Sequence, residues 1–263
     1  MEWERALKWV INHQNPPENE VITIVEMSHP ISDGDGFATR VKRFVTKIIP
    51  VILKGDVVVL RGGFRGYTDS RGFESIFQPF FSYGTGRWER FPPNDLPADR
   101  NFWFSVVAWY FIRPSEEVKR YIDTVRENLP EKYMGVHLRY GDNHYGRKVP
   151  IEEYVSFVKQ YDLPVYVASD SSEAMAKFGD SVKFHSQGQT KSIDMSRPGQ
   201  SAANHLIRNE KEPWIIDVAK EILCDMILLS ESENLIGIRV SQVVLVAGQI
   251  GMYRKTLKDF KLL

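Results

Sequence analysis

Apolar positions along this chain fall into short β-branched runs that alternate with longer stretches of helical period, the pattern of an α/β protein. "VITIVEM" (21–27) reads as a strand, "RVKRFVTKIIPVILK" (40–54) as a helix that Pro50 bends or ends, and "DVVVL" (56–60) as the next strand. Residues 84–100 are rich in Gly, Pro and charge and read as loop. Two helical segments follow, 101–112 and 115–128, the second opened by Pro114 and Ser115 ahead of Glu116 and Glu117. From Tyr133 the alternation is more regular, with strands at 133–139, 164–170 and 182–185 and helices at 151–161 and 172–178. Past a polar stretch (186–212) come helix 213–232, strand 234–238 and helix 241–253. The chain thus divides near 112–115 into an N-terminal α/β half, 1–113, and a C-terminal half, 114–263, with the pattern of a Rossmann-type parallel sheet.

Composition acts mainly by exclusion. Lys plus Arg and Asp plus Glu number 34 each, so there is no global basic field for nucleic acid or an anionic membrane, and any anion site must be local. The single Cys224 allows neither an internal disulfide nor a cysteine zinc site, and its helical context places it in the core. The N-terminus, "MEWERALKWVINHQN", is amphipathic and charged, unlike a secretory signal, and the longest apolar run, 102–112, is too short for a bilayer. A cytoplasmic protein without a membrane span is expected. The six histidines form no helical His-x-x-x-His pair, so no zinc site is visible, and a Gly-x-Ser-x-Gly elbow is absent. Trp103, Trp109 and Tyr110 belong to a run of helical length suited to core packing.

Three segments could hold an anion. In "MGVHLRYGDNHYG" (134–146), His137 and Arg139 lie two apart and share one face of a strand, near the end where an arginine fork can meet a phosphate. Asp142 and His144 follow in a polar loop. The alternative is an arginine paired with a neighbouring carboxylate and a histidine satisfied in the core. In "GIRVSQVV" (237–244), Ser241 and Gln242 open a helix directly after a strand, as a phosphate site or as a plain serine cap. In "SDGDGFATR" (32–40), Gly34 and Gly36 would let backbone approach a phosphate, while Asp33 and Asp35 suit either a divalent cation or a simple turn.

Together and in this order, these segments resemble the α-1,6-fucosyltransferases that modify the N-glycan core or rhizobial nodulation factors, and more distantly the protein O-fucosyltransferases. "GVHLRYGD" resembles the family's His-x-Arg-Arg loop, "PIEEY" (150–154) its continuation, "YVASD" its next strand, and "DMILLSESENLIGIRVSQV" (225–243) its last strand and helix start. "GDGFATRVKRF" (34–44) resembles its glycine turn, and "VVVLRGGFRGYTDSRGFESIFQP" (57–79) its aromatic loop, with Phe73 where Trp is usual. The resemblance runs from about Gly34 to Tyr253 and implies a GT-B-like fold of two facing α/β halves, the donor nucleotide on the C-terminal half.

By the same resemblance, Arg139 would clamp the diphosphate of GDP-fucose and His137 would contact the nucleotide. Asp225 would receive the guanine edge, Ser241 and Gln242 would hold phosphate, Gly34 and Gly36 would offer backbone N–H groups, and Tyr67 would lie along the nucleoside. The chain departs from the family at Tyr140, which replaces its second Arg, at Gly141, which replaces a Thr, and at Asn143, which replaces a Lys. Arg239 could restore one charge, and Asp142 or His144 could serve as the base. The implied reaction is inverting transfer of L-fucose to a glycan hydroxyl, with no cofactor or metal. The alternatives are another donor on the same fold, such as GDP-rhamnose, or a nucleotide-sugar-binding protein without catalysis. A metal-dependent transferase built on Asp33-Gly34-Asp35 is the remotest reading.

Overall fold

A computed structural model describes residues 2–18, 24–28, 36–61, 64, 68, 71–82, 89–140, 149–187 and 214–263, with backbone alone at 24–28, 214 and 215. The N-terminal half contains α1 (Glu2–His13), β1 (Ile24–Ser28), α2 (Phe37–Leu53), β2 (Val57–Arg61), a 3-10 turn at Gly72–Ser75 and α3 (Arg100–Phe111). The C-terminal half contains α4 (Glu116–Arg126), β3 (Met134–Leu138), α5 (Ile151–Val158), β4 (Val165–Ser169), α6 (Ser172–Gly179), α7 (Trp214–Glu231), β5 (Asn234–Gly237), α8 (Gln242–Arg254) and β6 (Asp259–Leu262).

β1 and β2 pair in parallel, and the second sheet is parallel throughout in the order β4-β3-β5-β6. The strand expected at 182–185 reduces to a single bridge from His185 to Tyr166, on the outer side of β4. The chain therefore winds outward from β3 through β4 to His185, then crosses back to β5 and β6. This is the doubly wound order, and its direction reverses between β3 and β5, where ligands bind in such sheets.

Pro50 does not end α2. It occupies the last turn on the exposed side, and the helix stops three residues later at Leu53, just before Gly55, whose φ of 84° suits glycine. There the Gly55 and Asp56 N–H groups bond back to Ile52 O (2.9 Å) and Val51 O (3.3 Å), the two bonds of a Schellman ending. β6 was not expected, because its four residues alternate between exposed and half-buried and leave little hydrophobic signal.

Period-two alternation divides the core between the faces of the larger sheet. Met134, Val136 and Leu138 face α5 and α6 with Val165 and Val167. Tyr166 and Ala168 join the opposite core, which is continuous through α7 and α8 into Trp9, Phe44 and Trp103 of the N-terminal half. Polar contacts cross the same seam: Gln249 Nε2 donates to Asn101 Oδ1 at 3.1 Å, and the Tyr253 hydroxyl donates to Asp99, which caps α3. Phe73 sits in an aromatic cluster, its ring centroid 5.0 Å from Phe64 and 5.3 Å from Phe44. Cys224, Trp103 and Tyr110 are buried as expected. Among the described residues no helix is long and apolar enough to cross a membrane.

Candidate functional site

The pairing of β3 with β4 continues to Leu138 and Ser169, whereas that of β3 with β5 ends at Val136 and Ile236. Among the described residues no pairing joins the two strands beyond that point, the switch point at whose carboxyl ends a doubly wound sheet forms its ligand crevice. His137 and Arg139 stand on one side of it, and the turn carrying Arg239, Ser241 and Gln242 on the other.

Arg139 donates from Nη1 to Oδ2 of Asp170 at 2.6 Å, and Oδ1 of the same carboxylate accepts the Tyr140 N–H at 2.8 Å. The arginine is thus paired with a carboxylate, as one reading of the sequence allowed, and it remains about one-third exposed. His137 is 5% exposed and Nδ1 has no hydrogen-bond partner, so it is buried without being satisfied. Burial pushes its pKa down to about 4 against the opposing pull of Asp170, with the Arg139 charge lowering it further. At neutral pH the ring is uncharged.

Tyr140 occupies an even position on β3's continuation and packs on the opposite face, where its hydroxyl donates to Val149 O. It thereby joins the residues on either side of 141–148. On that face a cavity of about 770 Å³ lies between α5 and α6, lined by Tyr140, Val149, Ser156 and Lys159 among others, and none of the candidate residues lines it.

Across the crevice, Ser241 is the N-cap of α8, buried, and makes no capping bond through its side chain. The plain-cap reading is therefore not realised. The first turn of α8 contains no acidic residue. Gln242 Oε1 accepts from Lys42 Nζ of α2 at 2.9 Å, and Arg239 is exposed, its N–H bonded to Leu263 O at 3.1 Å. Gly36 is the N-cap of α2, with φ −66° and open space where a Cβ would lie. Its glycine character is not demanded by its backbone. The Lys42–Gln242 bond ties the second turn of α2 to the start of α8.

Asp225 belongs to α7 and meets Tyr166, which lies one strand over and two residues back from His137. Its Oδ1 accepts from the Tyr166 hydroxyl (2.7 Å) and from Gln187 Nε2 (2.8 Å). Gln187 is held in turn by Glu221 O (3.1 Å) and by the Tyr121 hydroxyl, which donates to its Oε1 (2.9 Å). Burial pushes the Asp225 carboxyl up to about 8, which outweighs the hydrogen bond from Tyr166. A carboxyl poised there can meet the edge of a base.

Gly34, Tyr67, Asp142 and His144, with Asp33, Asp35 and Asn143, lie outside the described residues. Four contributors were not singled out from the sequence: Asp170, Tyr166, Gln187 and Lys42. Asp170 had a signal, as the last residue of "YVASD". Lys42 lay within "GDGFATRVKRF" without a signal of its own, because its partner is 200 residues away.

No family model and no curated protein matches the sequence. Solved structures do match, at low identity. NodZ α-1,6-fucosyltransferase soaked with GDP-fucose is 13% identical with a TM-score of 0.54, covering 88% of this chain and 93% of that one. POFUT1 in complex with GDP-fucose is 10% identical with a TM-score of 0.52, covering 91% and 98%. A variant of Arabidopsis thaliana FUT1 in complex with GDP is 12% identical with a TM-score of 0.51, covering 95% and 73%. The chain therefore shares the GT-B-like α/β fold of these fucosyltransferases, the group that its motifs resemble.

Proposed function

We propose that this protein is a glycosyltransferase that moves L-fucose from GDP-fucose to a glycan hydroxyl, with inversion at the sugar carbon and without a metal. The observation that carries this reading is the convergence of separate motif segments on one crevice. Arg139 directly follows β3, the start of α8 without a side-chain cap follows the adjacent β5, and Asp225 of α7 bonds Tyr166 of β4. This arrangement suits a nucleoside diphosphate, with the base at the carboxyl and the phosphates at the guanidinium and helix dipole.

The acceptor oxygen attacks the anomeric carbon as the bond from that carbon to the diphosphate oxygen breaks. The sugar passes through an oxocarbenium-like state while negative charge grows on the departing GDP. Arg139 and the α8 N–H groups stabilise that charge. The proton of the acceptor hydroxyl passes to Asp142 or His144. Arg239, exposed beside Ser241, adds a second positive charge to the leaving-group side.

One observation favours a second reading. Tyr140 stands where the resembled family has an arginine, and its side chain turns to the far face of the sheet, so the site has no charge from that position. A nucleotide-sugar-binding protein without transfer would fit this. Calorimetric titration of GDP, GDP-fucose, GDP-mannose, GDP-rhamnose and UDP-glucose into wild type and Arg139→Ala, with chelator present, followed by an acceptor screen, separates the two. Tight GDP-fucose binding that depends on Arg139, with transfer, supports the enzyme. Binding with no transfer to any acceptor supports the second reading, and preference for another GDP-sugar retires fucose alone.

A further inference from the structure

Lys42 belongs to the N-terminal half, yet its Nζ reaches Gln242, the first residue of α8, at 2.9 Å. It is half-buried, and among the described residues no carboxylate pairs with it. Two residues before the N-cap stands Arg239, exposed and likewise without an ion pair among the described residues. The amino end of a helix carries partial positive charge and favours acidic residues in its first turn. α8 has none there, and the serine that could cap it leaves its hydroxyl unused for that purpose.

Two full positive charges are thus gathered at the positive end of a helix dipole. Such a cluster repels itself and is completed by an anion. A second unsatisfied group lies on neighbouring β3, where buried His137 leaves Nδ1 without a hydrogen-bond partner. Gln242 also has a telling chemistry. An amide oxygen holds the ammonium group in place without neutralising it, whereas a carboxylate would consume the charge.

We infer that Lys42 is a diphosphate-binding residue that the N-terminal half supplies across the cleft, in place of the charge that Tyr140 and Asn143 do not provide. The inference rests on the proposed nucleotide site and adds to it a residue not among the site residues that the resemblance implies. Arg139 and α8 hold the diphosphate from the C-terminal half and Lys42 holds it from the other, so an occupied site ties α2 to α8.

The test is calorimetric titration of GDP, GMP and guanosine into wild type, Lys42→Met, Lys42→Gln and Lys42→Arg at two salt concentrations, with thermal melts to verify folding. Both neutral variants are expected to bind GDP roughly ten- to a hundredfold more weakly, in keeping with loss of a charged hydrogen bond. GMP should lose less, guanosine should be unchanged, and the salt dependence of GDP binding should become shallower. Lys42→Arg should stay within a few-fold of wild type. Unchanged GDP affinity in the neutral variants, or an equal loss for guanosine, overturns the inference while leaving the nucleotide site standing. Absence of GDP binding in wild type overturns both.

Discussion

Arg139 and Asp170 leave neighbouring parallel strands and meet at 2.6 Å, and the second oxygen of the same carboxylate holds the N–H of Tyr140. One side chain thus aims the guanidinium and fixes the backbone at the last described residue before 141–148, the stretch that includes Asp142 and His144.

Arg139→Ala should lower turnover by roughly a hundred- to a thousandfold, the usual consequence of removing one donor to a developing anion, about 3–4 kcal/mol of barrier. Asp170→Asn keeps an acceptor for Tyr140 but loses the charge opposite Arg139, so kcat should fall about tenfold while GDP affinity changes less. Steady-state kinetics and calorimetry on both variants check this. Wild-type kcat in Asp170→Asn would mean that Arg139 holds its orientation without the ion pair.

Asp225 makes nucleotide binding depend on pH. Its carboxyl is pushed up to about 8 by burial, so near neutrality the free protein holds a proton there. A guanine edge presents two N–H donors and favours the carboxylate, so binding should release that proton. GDP affinity is therefore expected to rise between about pH 6 and 8 and level off above, with Asp225→Asn binding weakly and without that slope. Titrations in buffers of different ionisation enthalpy count the protons. A flat profile in wild type would dissociate Asp225 from the base.

The same carboxyl acts oppositely on folding. The native state holds a proton that the unfolded chain has released from about pH 4 upward, so this group's contribution to stability declines as pH rises through about 8.

His137 governs the acid side. Its pKa in the fold, about 4, lies below the ordinary imidazole value of 6.5, so between these two limits the unfolded chain binds the proton that the native state refuses. Stability present above about pH 6.5 should be lost as pH falls toward 4, by on the order of 2–3 kcal/mol. In denaturant titrations His137→Phe should gain on wild type as pH falls across this window. A constant difference between the two would assign the acid loss elsewhere.

Gly237 ties the sheet to the start of α8. A Cβ there would lie 2.6 Å from Cγ2 of Val244, a buried β-branched side chain in the first turn of that helix. Gly237→Ala should cost about 1–3 kcal/mol through overpacking. Because relief comes from moving α8 away from β5, GDP binding should weaken as well. A variant with a lowered melting temperature and intact GDP affinity would show that the strain is absorbed away from the helix start.

Much of the C-terminal half was legible in advance. Runs such as "PVYVASD" are short, apolar and bounded by breakers, and a doubly wound sheet buries its central strands on both faces, so the pattern declares each strand and the helix behind it. Edge elements declare themselves weakly: residues 182–185 contribute one bridge, and β6 is half-exposed. Pro50 does not end its helix, which runs on to Leu53. Within the site, the spacing of His137 and Arg139 put them on one face, and Ser241 fell at a helix start, since both follow from local periodicity.

The amino-acid sequence by itself determined the elements, their α/β class and the strand ends at which polar residues collect, because these depend on neighbours a few positions apart. Only the tertiary structure decided which of those ends share a crevice, that Arg139 meets Asp170, that Asp225 is clasped by Tyr166 and Gln187, and that Lys42 reaches α8 from the other half. The cause is physical. Such pairings form between residues as many as 200 positions apart, through the packing of whole helices and sheets, and local pattern carries no record of the distance that packing closes.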